Sequence, residues 1–220
     1  MNKRNWIYTI LIVLFSVICG IISKDYFIGT VILMCGLLNS YYASLGKVVN
    51  YAFGALYCLF AAYVSYINGL YGLAVLSVFV YFPLQIHGYI SWKKSMKKDE
   101  KEDEVNVRGF TLKFSLLLTF IVIVLSFIFG YLLNLIPSQN LAFLDSSSNI
   151  INLSAVVLMC MRYKECWMIW LFNNTIDLSI WIINTVKGTP NCIMMLLVSI
   201  GYLLINVYGL YKWIKMEKKN

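Results

Sequence analysis

The sequence predicts an all-α integral membrane protein. Two parallel three-helix repeats are joined by one linker transmembrane helix, a 3+1+3 bundle, and an N-terminal hydrophobic helix precedes them. Three observations carry this prediction. Hydrophobic residues fill 60% of the 220 positions and charged residues 13%, with a mean hydropathy of +0.75; an ordinary soluble domain carries roughly 25% charged residues. The charges gather in a few clusters that divide the chain into apolar segments. The end of one segment also recurs near the C-terminus with its amide, glycine and tryptophan in the same order. This composition excludes a water-soluble globule and a disordered chain, and it leaves no length for a separate soluble catalytic domain.

Apolar segments fall at 6–22, 26–45, 50–67, 70–92, 110–136, 149–161, 165–186 and 191–213, against about 20 residues for a spanning helix. The first follows Lys3 and Arg4, as a signal peptide would. No small-x-small cleavage site comes before Lys24–Asp25, so the segment reads as retained. It is short, and it either crosses or lies in the interface; the other seven spans stand in both cases. The sixth segment is short too, which puts its true start in the SSSNI stretch. The chain divides accordingly into an N-terminal helix (1–24), a first repeat (25–92), a charged cytoplasmic loop (93–109), a linker helix (110–137), a second repeat (146–213) and a tail (214–220).

The formal net charge of +8 and pI of about 9.1 read as topology, not as nucleic-acid binding. With a cytoplasmic N-terminus and eight crossings, 16 of the 18 basic residues lie inside, and only Lys24 and Lys187 lie outside. Basic residues collect in cytoplasmic loops, so the 93–109 loop and the C-terminus are placed in the cytoplasm of a plasma-membrane protein. Cys19, Cys35, Cys58, Cys160, Cys166 and Cys192 lie mostly in apolar runs, form no Cys-x-x-Cys pair and are joined by one histidine, His87. They read as packing thiols, with no disulfide framework, metal site or cofactor implied. The chain lacks H-E-x-x-H, G-x-S-x-G and paired acids at ligand spacing, which argues against a membrane-embedded enzyme.

The repeat rests on Gln85-x-x-Gly88-x-x-x-Trp92, which returns 121 positions later as Asn206-x-x-Gly209-x-x-x-Trp213, each followed by lysines. Lys47 precedes the third segment as Lys164 precedes the seventh. Two three-helix units joined directly would be inverted relative to each other. The extra crossing at 110–136 restores a parallel pair, an arrangement that holds substrate near the midplane between the halves.

Segment 165–186 carries a polar stripe. At about 100° per residue, Trp167, Trp170, Asn174, Asp177 and Trp181 share an arc of about 80°, flanked by Asn173 and Asn184. Amides and a carboxylate in hydrocarbon cost a few kcal/mol each. Helix-to-helix hydrogen bonding and interface belts account for part of such a stripe. They do not explain Trp170, Asn174 and Asp177 on one face at depth, which reads as the lining of a substrate path. Tyr81, Gln85, Gly88 and Trp92 likewise share an arc of about 60°. Gln85, Asn174 and Asn206 reach a similar depth, about 10 Å inside the cytoplasmic ends of their helices. Indoles stack on and attract cations while amides read polar edges, which suits a flat, hydrogen-bonding, cationic solute. Pro83, inside its helix, predicts either a static bend or a hinge for alternating access, and His87 reads as a structural hydrogen-bonder.

Gln85-x-x-Gly88-Tyr89-x-x-Trp92, Glu165-x-Trp167-x-x-Trp170-x-x-x-Asn174 and Asn206-x-x-Gly209-x-x-x-Trp213 resemble the PnuC family of vitamin transporters over most of the chain. The resemblance implies a bundle similar to SWEET sugar transporters, often a homotrimer. It implies uptake of nicotinamide riboside by facilitated diffusion, with flux drawn by a cytoplasmic kinase. Trp167, Trp170 and Asn174 would hold the pyridinium and its amide, with Gln85 and Asn206 as further polar contacts; Asn173 and Tyr81 complete the candidates by position. Relatives carry thiamine, deoxynucleosides or riboflavin. Asp177 stands outside the family pattern, where a carboxylate favours a cation or pairs with an aminopyrimidine as in thiamine. A substrate-capturing subunit driven by a separate ATPase is disfavoured by the repeat.

Overall fold

A computed structural model describes residues 3–24, 27–67, 71–98, 105–135, 142–186 and 192–218. The described elements are helices: α1 (Lys3–Ser23), α2 (Ile28–Ser44), α3 (Asn50–Ile67), α4 (Tyr71–Leu76), a π-helical turn (Ser77–Tyr81), α5 (Phe82–Lys98), α6 (Leu112–Asn134), α7 (Ala142–Cys160), α8 (Glu165–Val186) and α9 (Cys192–Glu217). Among the described residues four stretches are long and apolar enough to cross a membrane: Asn5–Ser23, Ala74–Met96, Leu112–Leu132 and Leu196–Glu217. Ile28–Ser44, Asn50–Val64 and Ser146–Cys160 are shorter apolar helices.

α1 lies antiparallel along α2. Thr9 Oγ1 hydrogen-bonds Tyr42 Oη at 3.0 Å at one end, and Cys19 packs with Leu33 and Leu37 toward the other. α7 begins at Ala142, upstream of the SSSNI start that its apolar run suggested. The serines do not break it because their hydroxyls are satisfied. Ser147 Oγ donates to Phe143 O one turn back at 2.6 Å, and Ser146 Oγ donates to Ser126 O on α6 at 2.9 Å.

Two corresponding turns close α2 and α7. Gly46 (φ +66°) and Arg162 (φ +71°) both take the left-handed conformation. In the first, Gly46 N donates to Ala43 O and Lys47 N to Tyr42 O; in the second, Arg162 N donates to Met159 O and Tyr163 N to Leu158 O. Both are Schellman closures. They pair Gly46 with Arg162, 116 positions apart, so Lys47 and Lys164 are one position out of the register expected of them. Left-handed geometry costs a non-glycine residue roughly 1–2 kcal/mol. Arg162 is held there by its guanidinium bond to Ser95 Oγ and by Arg108 N, which donates to its carbonyl at 2.8 Å.

The expected solvated loop at 93–109 is solvated only in part. Its first residues are the last turns of α5, and residues 99–104 lie outside the described set. Residues 105–110 form an extended strap over the ends of α2, α5, α7, α8 and α9. Val105 N donates to Gly46 O, Lys164 N to Arg108 O at 3.0 Å, and Phe110 N to Glu165 Oε1 at 2.9 Å. Val105 and Val107 are buried beside Trp92, Met96, Trp213 and Met216. An extended chain points alternate side chains to one side, so Val-Asn-Val buries two valines and leaves Asn106 less covered. Lys164 and Glu217 form an ion pair at the same end.

Candidate functional site

The strap end of the bundle is closed by a floor of aromatic rings. Tyr51 meets Trp92 edge-on at 5.0 Å between centroids, Trp92 meets Trp213 at 5.6 Å, Trp213 meets Trp167 at 5.8 Å, and Trp167 meets Trp170 at 5.2 Å. Two crossed hydrogen bonds fix it. Trp92 Nε1 on α5 donates to Met159 O at the end of α7 (2.9 Å), and Trp213 Nε1 on α9 donates to Ala43 O at the end of α2 (3.0 Å). Two glycines let the rings lie flat against the neighbouring helices: a Cβ on Gly88 would run into the Tyr51 ring, and one on Gly209 into the Trp167 indole.

Above this floor lies a cavity of about 410 Å³, lined by residues of α2, α3, the π turn, α5, α7, α8 and α9. Six of the residues expected at a site line it together: Tyr81 from the π turn, Gln85 from α5, Trp170, Asn173 and Asn174 from α8, and Asn206 from α9. Gln85, Asn173 and Asn206 are buried. The volume falls within the range usual for small-molecule pockets.

Two expectations are corrected. Trp167 is fully buried in the floor behind Trp170 and does not line the cavity. Gly88 and Trp92, on the same helical face as Tyr81 and Gln85, also belong to the floor, because that face runs from the cavity down into the core. Pro83 does not produce a simple kink. It lies just after the π turn, where Phe82 N donates to Ser77 O five residues back. This is the kind of single-turn π segment that recurs at functional sites. His87 is exposed on the outer side of α5. The side chains of Asp177, Trp181 and Asn184 lie outside the described residues. Five cysteines, Cys19, Cys35, Cys58, Cys160 and Cys166, are buried free thiols.

The wall also holds residues that sequence reasoning missed. On α7, Asn152 Oδ1 accepts from Trp170 Nε1 at 3.1 Å, Asn152 Nδ2 faces Tyr81 Oη at 3.5 Å, and Ser148 Oγ donates to Asn173 Oδ1 at 3.2 Å. Ser148 and Asn152 are one helical turn apart on α7. Asn39 on α2 donates to Asn50 O at 2.8 Å beside Gly54, where a Cβ would strike both Gln85 and Asn39. Gln85 Oε1 and Asn174 Nδ2 are buried atoms without a hydrogen-bond partner within the protein, the former packed against Gly54.

Among the described residues, helices long and apolar enough to cross a membrane surround an internal polar cavity, the architecture of a multi-pass membrane transporter. The family description "nicotinamide mononucleotide transporter" matches residues 26–215. The chain belongs to that family, the PnuC transporters. It is 29% identical to the nicotinamide riboside transporter PnuC of Neisseria mucosa over 202 residues, 91% of this chain and 76% of that one. It is 27% identical to the nicotinamide riboside transporter PnuC of Haemophilus influenzae over 197 residues, 90% of this chain and 83% of the relative. The crystal structure of the vitamin B3 transporter PnuC shares its fold with a TM-score of 0.80 at 27% identity, covering 100% of this chain and 94% of that one.

Proposed function

We propose that this protein takes up nicotinamide riboside across the plasma membrane by facilitated diffusion. The observation that carries the reading is the set of amide side chains, Gln85, Asn174 and Asn206, that shares the cavity wall with the Trp170 ring. A side-chain amide both donates and accepts, as a primary carboxamide does, so the two can pair reciprocally. The attached pyridinium offers a flat cationic face to Trp170. The relatives named as nicotinamide riboside transporters favour the same ligand. The family description names the mononucleotide instead. A phosphate ester calls for Arg, Lys or clustered N–H donors, and the described wall has neither lysine nor arginine. The cavity therefore suits the nucleoside better than the nucleotide.

Alternating access accounts for the frame. In this reading α2 to α5 and α7 to α9 form parallel three-helix units and α6 is the linker crossing. The matched turns at Gly46 and Arg162, the matched floor rings Tyr51 and Trp167, and the crossed bonds of Trp92 and Trp213 support it. α1 is an eighth crossing, since it follows α2 along its length. In this reading the floor, the strap and the C-terminus face the cytoplasm, which the positive-inside asymmetry supports. Release then requires the two crossed bonds to part as the units rock, with the π turn beside Pro83 as the hinge. Uniport, with flux drawn by a cytoplasmic kinase, is what the family resemblance implies. A homotrimeric assembly rests on the family resemblance alone.

Proteoliposomes without an ion gradient provide the test. External nicotinamide riboside is expected to exchange with internal label at a rate unchanged by a protonophore, while nicotinamide mononucleotide exchanges poorly. No exchange of the riboside, or uptake abolished by the protonophore, contradicts the proposal.

A further inference from the structure

Trp170 offers its ring to the cavity, yet its one polar atom is already occupied, because Nε1 donates to Asn152 Oδ1 at 3.1 Å. The other end of the same amide faces Tyr81 Oη on the π turn at 3.5 Å. An amide carries an acceptor for the indole and, on a separate atom, a donor for the phenol on one short side chain. Asn152 is partly buried and lies on α7, whereas Trp170 is on α8 and Tyr81 in the π turn. One side chain thus joins three elements around the cavity.

The corresponding positions on the other side of the cavity sharpen the point. By the register of the two left-handed turns, 116 positions earlier, Trp170 matches Gly54 and Asn152 matches Gly36. Where the indole is absent its amide is absent too. The room left by these glycines is taken by other polar ends: Tyr202 Oη sits beside Gly36, and the amides of Gln85 and Asn39 beside Gly54. Indole and amide occur as a unit on one wall and are missing as a unit from the other.

We infer that Asn152 is a positioning residue that holds the Trp170 ring plane toward the ligand and ties that plane to the π turn through Tyr81. With its N–H held sideways, Trp170 presents a π face and no donor. The site thereby selects flat, electron-poor aromatic cations over ligands that offer only a hydrogen-bond acceptor. This rests on the reading of the cavity as the nicotinamide riboside site.

The test is a cycle of Asn152→Ser and Trp170→Phe, read by calorimetry with nicotinamide riboside and by ¹⁵N-labelled indole resonances of the full chain in detergent. Losing the indole's hydrogen bond is expected to weaken binding about tenfold in Asn152→Ser. In a Trp170→Phe background, which keeps a ring but has no N–H, the same change adds no more than about twofold. The indole resonance that disappears in Trp170→Phe identifies Trp170, and it is expected to move in Asn152→Ser without ligand. Asn152→Asp, which keeps an acceptor for the indole, leaves that resonance near its wild-type position. Full multiplication of the two effects, or an unmoved resonance, overturns the inference. If the wild type does not bind nicotinamide riboside the ligand reading fails, while the ligand-free resonance still decides the role of Asn152.

Discussion

Trp170→Ala is expected to weaken nicotinamide riboside binding about thirtyfold, near 2 kcal/mol, while the protein stays folded. The ring lines the cavity, leans on Trp167 at 5.2 Å and donates to Asn152. Its removal takes away the stacking face and leaves Asn152 Oδ1 without that donor, and an unmatched polar atom adds to the loss. Trp167→Ala acts in the opposite sense. Trp167 is fully buried and does not line the cavity, so truncating it costs stability, about 3–5 kcal/mol for a buried aromatic. Calorimetry and thermal unfolding in detergent separate the two variants. Unchanged affinity in Trp170→Ala would remove the indole from the site.

The second large effect falls on the floor. Gly209→Val is expected to destabilise the fold by about 3 kcal/mol, because the new carbons meet the Trp167 indole face. That ring has no room to retreat, with Trp213 at 5.8 Å and Trp170 at 5.2 Å. Gly201→Ala, on the same helix, is the control. Its Cβ meets only Leu37 at 3.8 Å and Phe15 at 3.9 Å, and alanine is the better helix former by about 1 kcal/mol. It should unfold at or above the wild-type temperature. A Gly209→Val protein that melts like Gly201→Ala would show that the floor is not packed as described.

Much of the site was legible from helical periodicity. Trp170, Asn173 and Asn174 on α8 were visible because several amides on an otherwise apolar helix must face something other than lipid. Gln85 and Asn206 were visible because each sits seven residues inside a tryptophan that ends its apolar segment. Trp167 was misread because angle on a helix says nothing of height: it shares the stripe but lies one turn below the cavity, where Gly209 admits its ring into the core.

Other features depended on partners that the chain order conceals. Asn152 looks like an ordinary polar residue until Trp170 and Tyr81 are placed beside it. Gly36 and Gly54 show their purpose only when Tyr202, Gln85 and Asn39 fill the space they leave. The strap was masked by its charged surroundings, although the alternation in Val105-Asn106-Val107 carried the signal of a half-buried extended segment. The π turn leaves no pattern of its own, and Pro83 announced only that some carbonyl nearby would lack its usual partner.

The central claim, that Gln85 and Asn174 read a carboxamide, is tested most directly by calorimetry. The purified protein is titrated with nicotinamide riboside and with its carboxylate counterpart, nicotinic acid riboside. The carboxylate lacks the NH₂ donor that a wall amide oxygen would accept, so its binding is expected to be at least about tenfold weaker. Equal affinity for the two ribosides would contradict the assignment.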